Sequence, residues 1–143
     1  MNHKIIKLFL RLAISFAFLS AVADRFGLWS KEVSVWGNWD NFLNYTQLIN
    51  PWIPGSLIPV AGIIATAAEI IFALFLIIGF KTEMFARLSG FLLLIFALSM
   101  TFSTGIKGVF DFSVFSASAA AFALSLMKEK YLELDSKISK PAH

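Results

Sequence analysis

Glu69 stands about eleven residues from either end of the apolar run 58–80, which holds no other ionisable residue. At a helical rise of 1.5 Å per residue, that is roughly 16 Å below the nearer boundary of a membrane. A carboxylate so deep in hydrocarbon is costly. It marks either a polar contact that fixes helix register or a place where something is bound or a proton is passed. Gly62, Ala65, Thr66 and Ala73 share its helical face. Small residues at that spacing admit a neighbouring helix, so Glu69 is expected to face into a bundle. Arg11 is the expected partner. It lies on a stripe with Lys4, Lys7, Ser15 and Phe18, roughly 9 Å inside the opposite boundary, and an extended guanidinium covers much of the remaining depth. Arg87 either joins this inner group or snorkels to the headgroups. Asp24, Arg25, Lys107 and Asp111 fall together at the outer boundary, where Asp111 reads equally well as a helix N-cap.

Positioning these groups requires helices. The apolar runs 5–23, 58–80, 85–102 and 112–127 each approach the roughly 17–25 residues that a membrane crossing needs. They alternate too little for barrel strands, and backbone groups in lipid must be satisfied within each span. The short connections 81–84 and 103–111 make neighbouring spans antiparallel. The expected fold is therefore all-α, a four-transmembrane-helix antiparallel bundle. Ala21-Val22-Ala23 resembles a signal-peptidase site, but Arg11 splits the apolar stretch that a signal sequence keeps continuous, which favours a retained span. Of the twelve Lys and Arg residues, nine fall beside the first span's start, the second-to-third connection and the tail, and three (Arg25, Lys31, Lys107) on the other side. This asymmetry predicts both termini in the cytoplasm and a multi-pass plasma (inner) membrane protein. Residues 1–127 form the membrane domain, and 128–143 form a charged cytoplasmic tail expected to be solvated.

The connection from Asp24 to Leu57 is too long for a turn and carries all four Trp residues. Asn38 is a suitable N-cap, and Trp39, Phe42, Thr46 and Ile49 follow helical spacing, so residues 38–49 read as an extra amphipathic helix between the first and second spans. Trp36, Trp39, Phe42 and Trp52 suit an interfacial anchor on the outer leaflet, or a lid over a cavity opening outward.

Composition narrows the chemistry. The 143 residues are 58% hydrophobic and 15% charged, with sixteen Phe and no Cys. Disulfides, thiolate sites and cysteine nucleophiles are excluded. The net charge of +3 sits beside the apolar runs and forms no patch, which argues against nucleic acid. No metal-binding constellation, phosphate loop or dinucleotide fingerprint is present. Phe91, Phe96, Phe102, Phe110, Phe112, Phe115 and Phe122 could surround a planar ring, though core and lipid contact explain them more simply.

The chain resembles the DoxX family of small four-helix membrane proteins. The resemblance lies in Arg11 in a first span ending Ser20-Ala21-Val22-Ala23-Asp24-Arg25-Phe26-Gly27, Glu69 in a second span closing on Gly79-Phe80, Lys81 and Arg87 leading into the third, and Asp111 at the fourth. It covers roughly residues 5–127, with an enlarged first connection. It implies a membrane subunit of a quinone-linked oxidoreductase, with Arg11, Glu69, Arg87, Asp111 and Asp24 as the polar positions of interest. A bound quinone is the cofactor this implies, and the lipid bilayer, a protein partner in a redox complex or a second copy are the partners. The paired-cysteine chemistry of the similar vitamin K epoxide reductase bundle cannot transfer. A partner-recruiting scaffold and a small-molecule carrier are the alternatives.

Overall fold

The structure is a computed structural model and describes residues 2–138. The described residues form seven helices: α1 (His3–Arg25), α2 (Trp39–Ile49), α3 (Ile58–Ile78), α4 (Thr82–Ser103), α5 (Ile106–Asp111), α6 (Val114–Leu126) and α7 (Asp135–Ile138). A 3-10 turn, Gly55–Leu57, leads into α3. Three helical stretches, His3–Arg25, Gly55–Ile78 and Thr82–Ser103, are long and apolar enough to cross a membrane. The protein is therefore all-helical and suited to a lipid bilayer. Large apolar side chains on the outside, such as Phe9, Ile64 and Ile95, fit hydrocarbon as their surroundings.

The residues that begin and end these helices follow from local chemistry. Asn2 Oδ1 accepts the Lys4 N–H, and Asn38 Oδ1 accepts the Asn41 N–H, each capping a helix start. α3 ends where Gly79 turns left-handed at φ 69°, letting the Phe80 N–H reach the Phe75 carbonyl at 3.0 Å. Gly79 is also crowded: an added Cβ would lie 2.6 Å from Glu133 Cα and 2.7 Å from Arg11 Nη2.

The run expected at 112–127 differs from a single span. The helix breaks where Ser113 adopts a left-handed φ of 57°. α6 then covers only Val114–Leu126, while α5 precedes the break. α6 lies along α4: Ser118 Oγ–H donates to the Gly90 carbonyl at 2.8 Å, and the Phe122 ring fills the space that a Cβ on Gly90 would need. The main apolar core, including Ile14, Phe18, Ala73, Leu76, Phe85, Ala86, Ala121 and Leu124, joins α1, α3, α4 and α6.

Most described tail residues are exposed, as the alternating charges predict, but Glu133 is buried; the last residues, 139–143, lie outside the described residues. Residues 129–135 fold back as a strap across the ends of α1, α3 and α4. The Leu134 and Asp135 N–H groups donate to the Ile78 and Gly79 carbonyls at 3.0 and 3.1 Å. The Asp135 carboxylate accepts the Lys81 and Thr82 N–H groups at 2.8 and 3.1 Å, capping α4, which has no side-chain cap of its own. Glu133 is buried and meets Lys7 Nζ at 2.8 Å.

Replacing Glu133 with Ala removes the buried carboxylate that pairs with Lys7 and lies 3.7 Å from Arg11. The expected loss is on the order of 3 kcal/mol, read as a lower thermal midpoint in detergent. Glu129→Ala, whose carboxylate pairs with the exposed His3 at 3.3 Å and acts on Lys7 only at longer range, should lower that midpoint far less.

Candidate functional site

Side-chain direction decides which charges meet. In a helix every Cα–Cβ bond tilts toward the N-terminus. Arg11 on α1 therefore leans away from mid-membrane, while Arg25 leans back into it. Glu69 on the antiparallel α3 leans toward Arg25. The structure accordingly pairs Glu69 with Arg25 and not with Arg11. Arg25 Nη2 donates to Glu69 Oε1 at 2.9 Å, Nη1 contacts Oε2, and Nη1 donates to Thr66 Oγ1 at 2.7 Å. Both side chains are 3% exposed, so the pair is wholly enclosed.

Arg11 instead serves the strap junction. Its Nε and Nη2 donate to the Leu76 and Ile77 carbonyls at the end of α3, each at 2.8 Å. Nη1 donates to the Tyr131 and Leu132 carbonyls, each at 3.0 Å. These carbonyls include orphans of the helix terminus, whose partial negative charge favours a cation. The inner group therefore splits: Arg11 sits with Lys7 and Glu133, Glu69 sits elsewhere, and Arg87 is exposed on α4 and joins neither.

The outer group also divides. Asp111 does not open a span. It ends α5, exposed, with its carboxylate 2.5 Å from Lys107 Nζ. Asp24 is buried and organises the loop after α1. Its carboxylate accepts the Ser34 hydroxyl, the Val35 N–H at 2.7 Å and the Gly37 N–H at 2.9 Å. Those bonds hold Trp36 over the Arg25–Glu69 pair.

The pair forms part of the wall of a cavity of about 330 Å³. α1 contributes Ala17, Phe18 and Ala21, and α2 contributes Phe42, Tyr45, Thr46 and Ile49. Ala65 of α3, Leu93, Phe96 and Met100 of α4, and Phe112 and Val114 at the α5–α6 break complete it with Val35, Trp36 and Asn50. Gly62 lets α2 come down on α3, since a Cβ there would lie 2.6 Å from Leu43 Cδ2. Asn50 fixes the far end of α2: its Oδ1 accepts the Ser99 hydroxyl at 2.9 Å.

The Arg25 guanidinium carbon lies 4.0 Å from the Phe42 ring centroid and 5.4 Å from that of Trp36. This is a favourable place for a desolvated cation. Trp36 packs edge-on against Phe42, with centroids 5.4 Å apart. Two buried donors here, Trp36 Nε1 and Arg25 Nε, have no hydrogen-bond partner among the described residues. Tyr45 also lines the cavity, and burial raises its phenol above its usual range, so it stays a neutral donor.

Of the aromatic positions singled out in the sequence, Trp36 and Phe42 line the cavity. Trp39 stacks on Phe26, centroids 5.8 Å apart, and Trp52 is 55% exposed. Phe96 and Phe112 reach the cavity, whereas Phe91, Phe102 and Phe110 face outward. Among the described residues, no group of three His, Cys, Asp or Glu side chains is placed to hold a metal ion. Arg25 was the residue to find. It continues the Arg11, Ser15, Phe18, Val22 stripe by one turn, and that periodicity was its signal. Comparison with family models, with curated proteins and with solved structures gives no match.

Glu69→Leu strands Arg25 in an apolar wall and should cost on the order of 3 kcal/mol, whereas Arg25→Met with Glu69→Leu should recover most of it. A thermal-unfolding double-mutant cycle in one detergent checks this. Asp24→Asn should speed amide hydrogen exchange at Val35 and Gly37 while leaving α4 protection unchanged.

Proposed function

We propose that this chain is a DoxX-like four-span protein of the plasma membrane, with both termini cytoplasmic, acting as the membrane subunit of a quinone-linked oxidoreductase. In this reading the cavity beneath α2 holds a quinone head. α5 and α6 together supply the fourth crossing, since residues 106–126 cover roughly 30 Å if they run end to end. α2 then lies at the outer interface as a lid.

The observation that carries the reading is the cavity itself. It is apolar and aromatic over most of its wall, of a size that takes a small ring. Its few polar residues include Trp36 and Arg25, whose buried Nε1 and Nε lack acceptors among the described residues. A buried donor without a partner costs about 1–3 kcal/mol, which a ligand carbonyl oxygen relieves. Glu69 supplies the one carboxyl on that wall. The bound quinone would supply the redox chemistry, and the chain's own residues orient its head and exclude water. With no Cys in the chain, dithiol electron transfer is excluded, and electrons would come from a partner subunit.

A partner-recruiting scaffold is the second reading. It is favoured by the exposed apolar loop residues Phe26, Leu28, Trp29, Val33 and Val35.

A short-chain benzoquinone should raise the thermal midpoint of the purified protein and quench its tryptophan fluorescence saturably. Trp36→Phe should weaken binding about tenfold, one buried hydrogen bond's worth. No saturable quenching in the wild type counts against the quinone reading. For topology, the cysteine-free background permits single labels. Asn44→Cys should react with an impermeant maleimide in intact cells whose outer membrane, if present, is permeabilised. Lys137→Cys should react only after lysis.

A further inference from the structure

A second hollow lies beside the cavity. It is lined by Ala17, Ser20, Ala21, Asp24, Trp29, Val33, Val35 and Trp36. Four of these, Ala17, Ala21, Val35 and Trp36, also line the cavity. The two spaces are thus neighbours across the same short stretch of wall. The second is an open groove running along α1 between Ala17 and Asp24, and Ala17 and Ser20 are exposed there. Ala17, Ser20 and Ala21 belong to a helix of membrane-crossing length and composition, so this end of the groove suits hydrocarbon. Its far rim is apolar and outward-facing: Trp29 is 48% and Val33 65% exposed. The rim is also fixed. Trp29 Nε1 donates to the Ser20 carbonyl at 3.1 Å, and Asp24 holds the Ser34–Gly37 backbone.

We infer that the groove is the chain-binding half of the same site. The ligand is an amphiphile with a hydrogen-bond-accepting head in the cavity and a single hydrocarbon chain that leaves past Val35 and Trp36, along Ala17 and Ser20, into the outer leaflet. This rests on the cavity taking a head of that class, and it adds the chain, its path and its direction. The division of chemistry supports it. The cavity wall carries Arg25 and Trp36, whose buried Nε and Nε1 have no hydrogen-bond partner among the described residues. The open space is walled by small and apolar side chains, and its one carboxylate, Asp24, is already occupied by loop donors. A free polar solute would have no use for the second hollow, and a lipid without an acceptor head would leave the first one's donors unmet.

The test uses two probes, a benzoquinone bearing a decyl chain and the same ring without it, with full-length protein in one detergent. Ser20→Trp places an indole in the groove from a residue that does not line the cavity. Dissociation constants are read from saturable fluorescence quenching, each variant referenced to its own unliganded spectrum. The expected result is that Ser20→Trp weakens the decyl probe about tenfold, the loss of roughly two buried methylenes, and leaves the chainless ring unchanged. If both probes bind and the substitution weakens neither, or both equally, the groove is ordinary lipid-facing surface and the inference is overturned while the cavity reading stands. If neither probe binds the wild type, the cavity reading fails and takes the groove with it. An unchanged thermal midpoint for Ser20→Trp, expected at an exposed position, separates blockage from misfolding.

Discussion

The enclosed contact between Arg25 and Glu69 constrains everything around it. An arginine and a glutamate, both 3% exposed, sit in a wall made mostly of aliphatic and aromatic side chains. Burying either charge without the other would be costly, because stripping water from an ion costs more than any nearby apolar contact returns. Meeting requires α1 and α3 to be antiparallel and in one register, so that two side chains leaning toward their own N-termini converge. Thr66, one turn earlier on α3, accepts a further guanidinium hydrogen from Nη1. Phe42 then covers the cation, which brings α2 down against α3, and Gly62 leaves the room for it. Asp24, the neighbour of Arg25 in sequence, turns the following loop so that Trp36 closes the same spot.

The other end of the bundle obeys the same rule with different parts. Lys7 and Arg11 point away from the Arg25–Glu69 pair, and their charges are met by Glu133 and by carbonyls of α3 and the strap. Two cations, one carboxylate and the open end of a helix make a junction that ties the chain's beginning to residues more than a hundred positions later. The strap also gives α4 the N-cap that its own sequence lacks. The two polar centres therefore hold opposite ends of one hydrophobic core and share no member.

Much of this was legible in the sequence where a signal is local and periodic. Helix and span positions follow from apolar runs. α2 follows from Asn38 and the spacing of Phe42, Thr46 and Ile49. The inward orientation of Glu69 follows from Gly62, Thr66 and Ala73 on its face. What failed was non-local or directional. Depth alone paired Glu69 with Arg11, because residue counting ignores which way side chains lean. The break at Ser113 carries no Gly or Pro. Glu133 and Asp135 looked solvated because alternating charge along a tail says nothing of two buried cations waiting elsewhere. α4 begins at Thr82, three residues before the apolar run, for the same reason: its cap comes from Asp135.

The strap has a consequence for biogenesis. Residues 129–135 emerge from the ribosome only after α6 has been synthesised, yet they supply the carboxylate for Lys7 and the cap for α4. Until then Lys7 lacks its carboxylate, Arg11 has only the carbonyls of α3, and the start of α4 stays open at the same end of the bundle. The hairpin of α3 and α4 thus waits in a provisional state for a clasp delivered late, and a stalled or clipped product would present quality-control proteases with an unlatched edge.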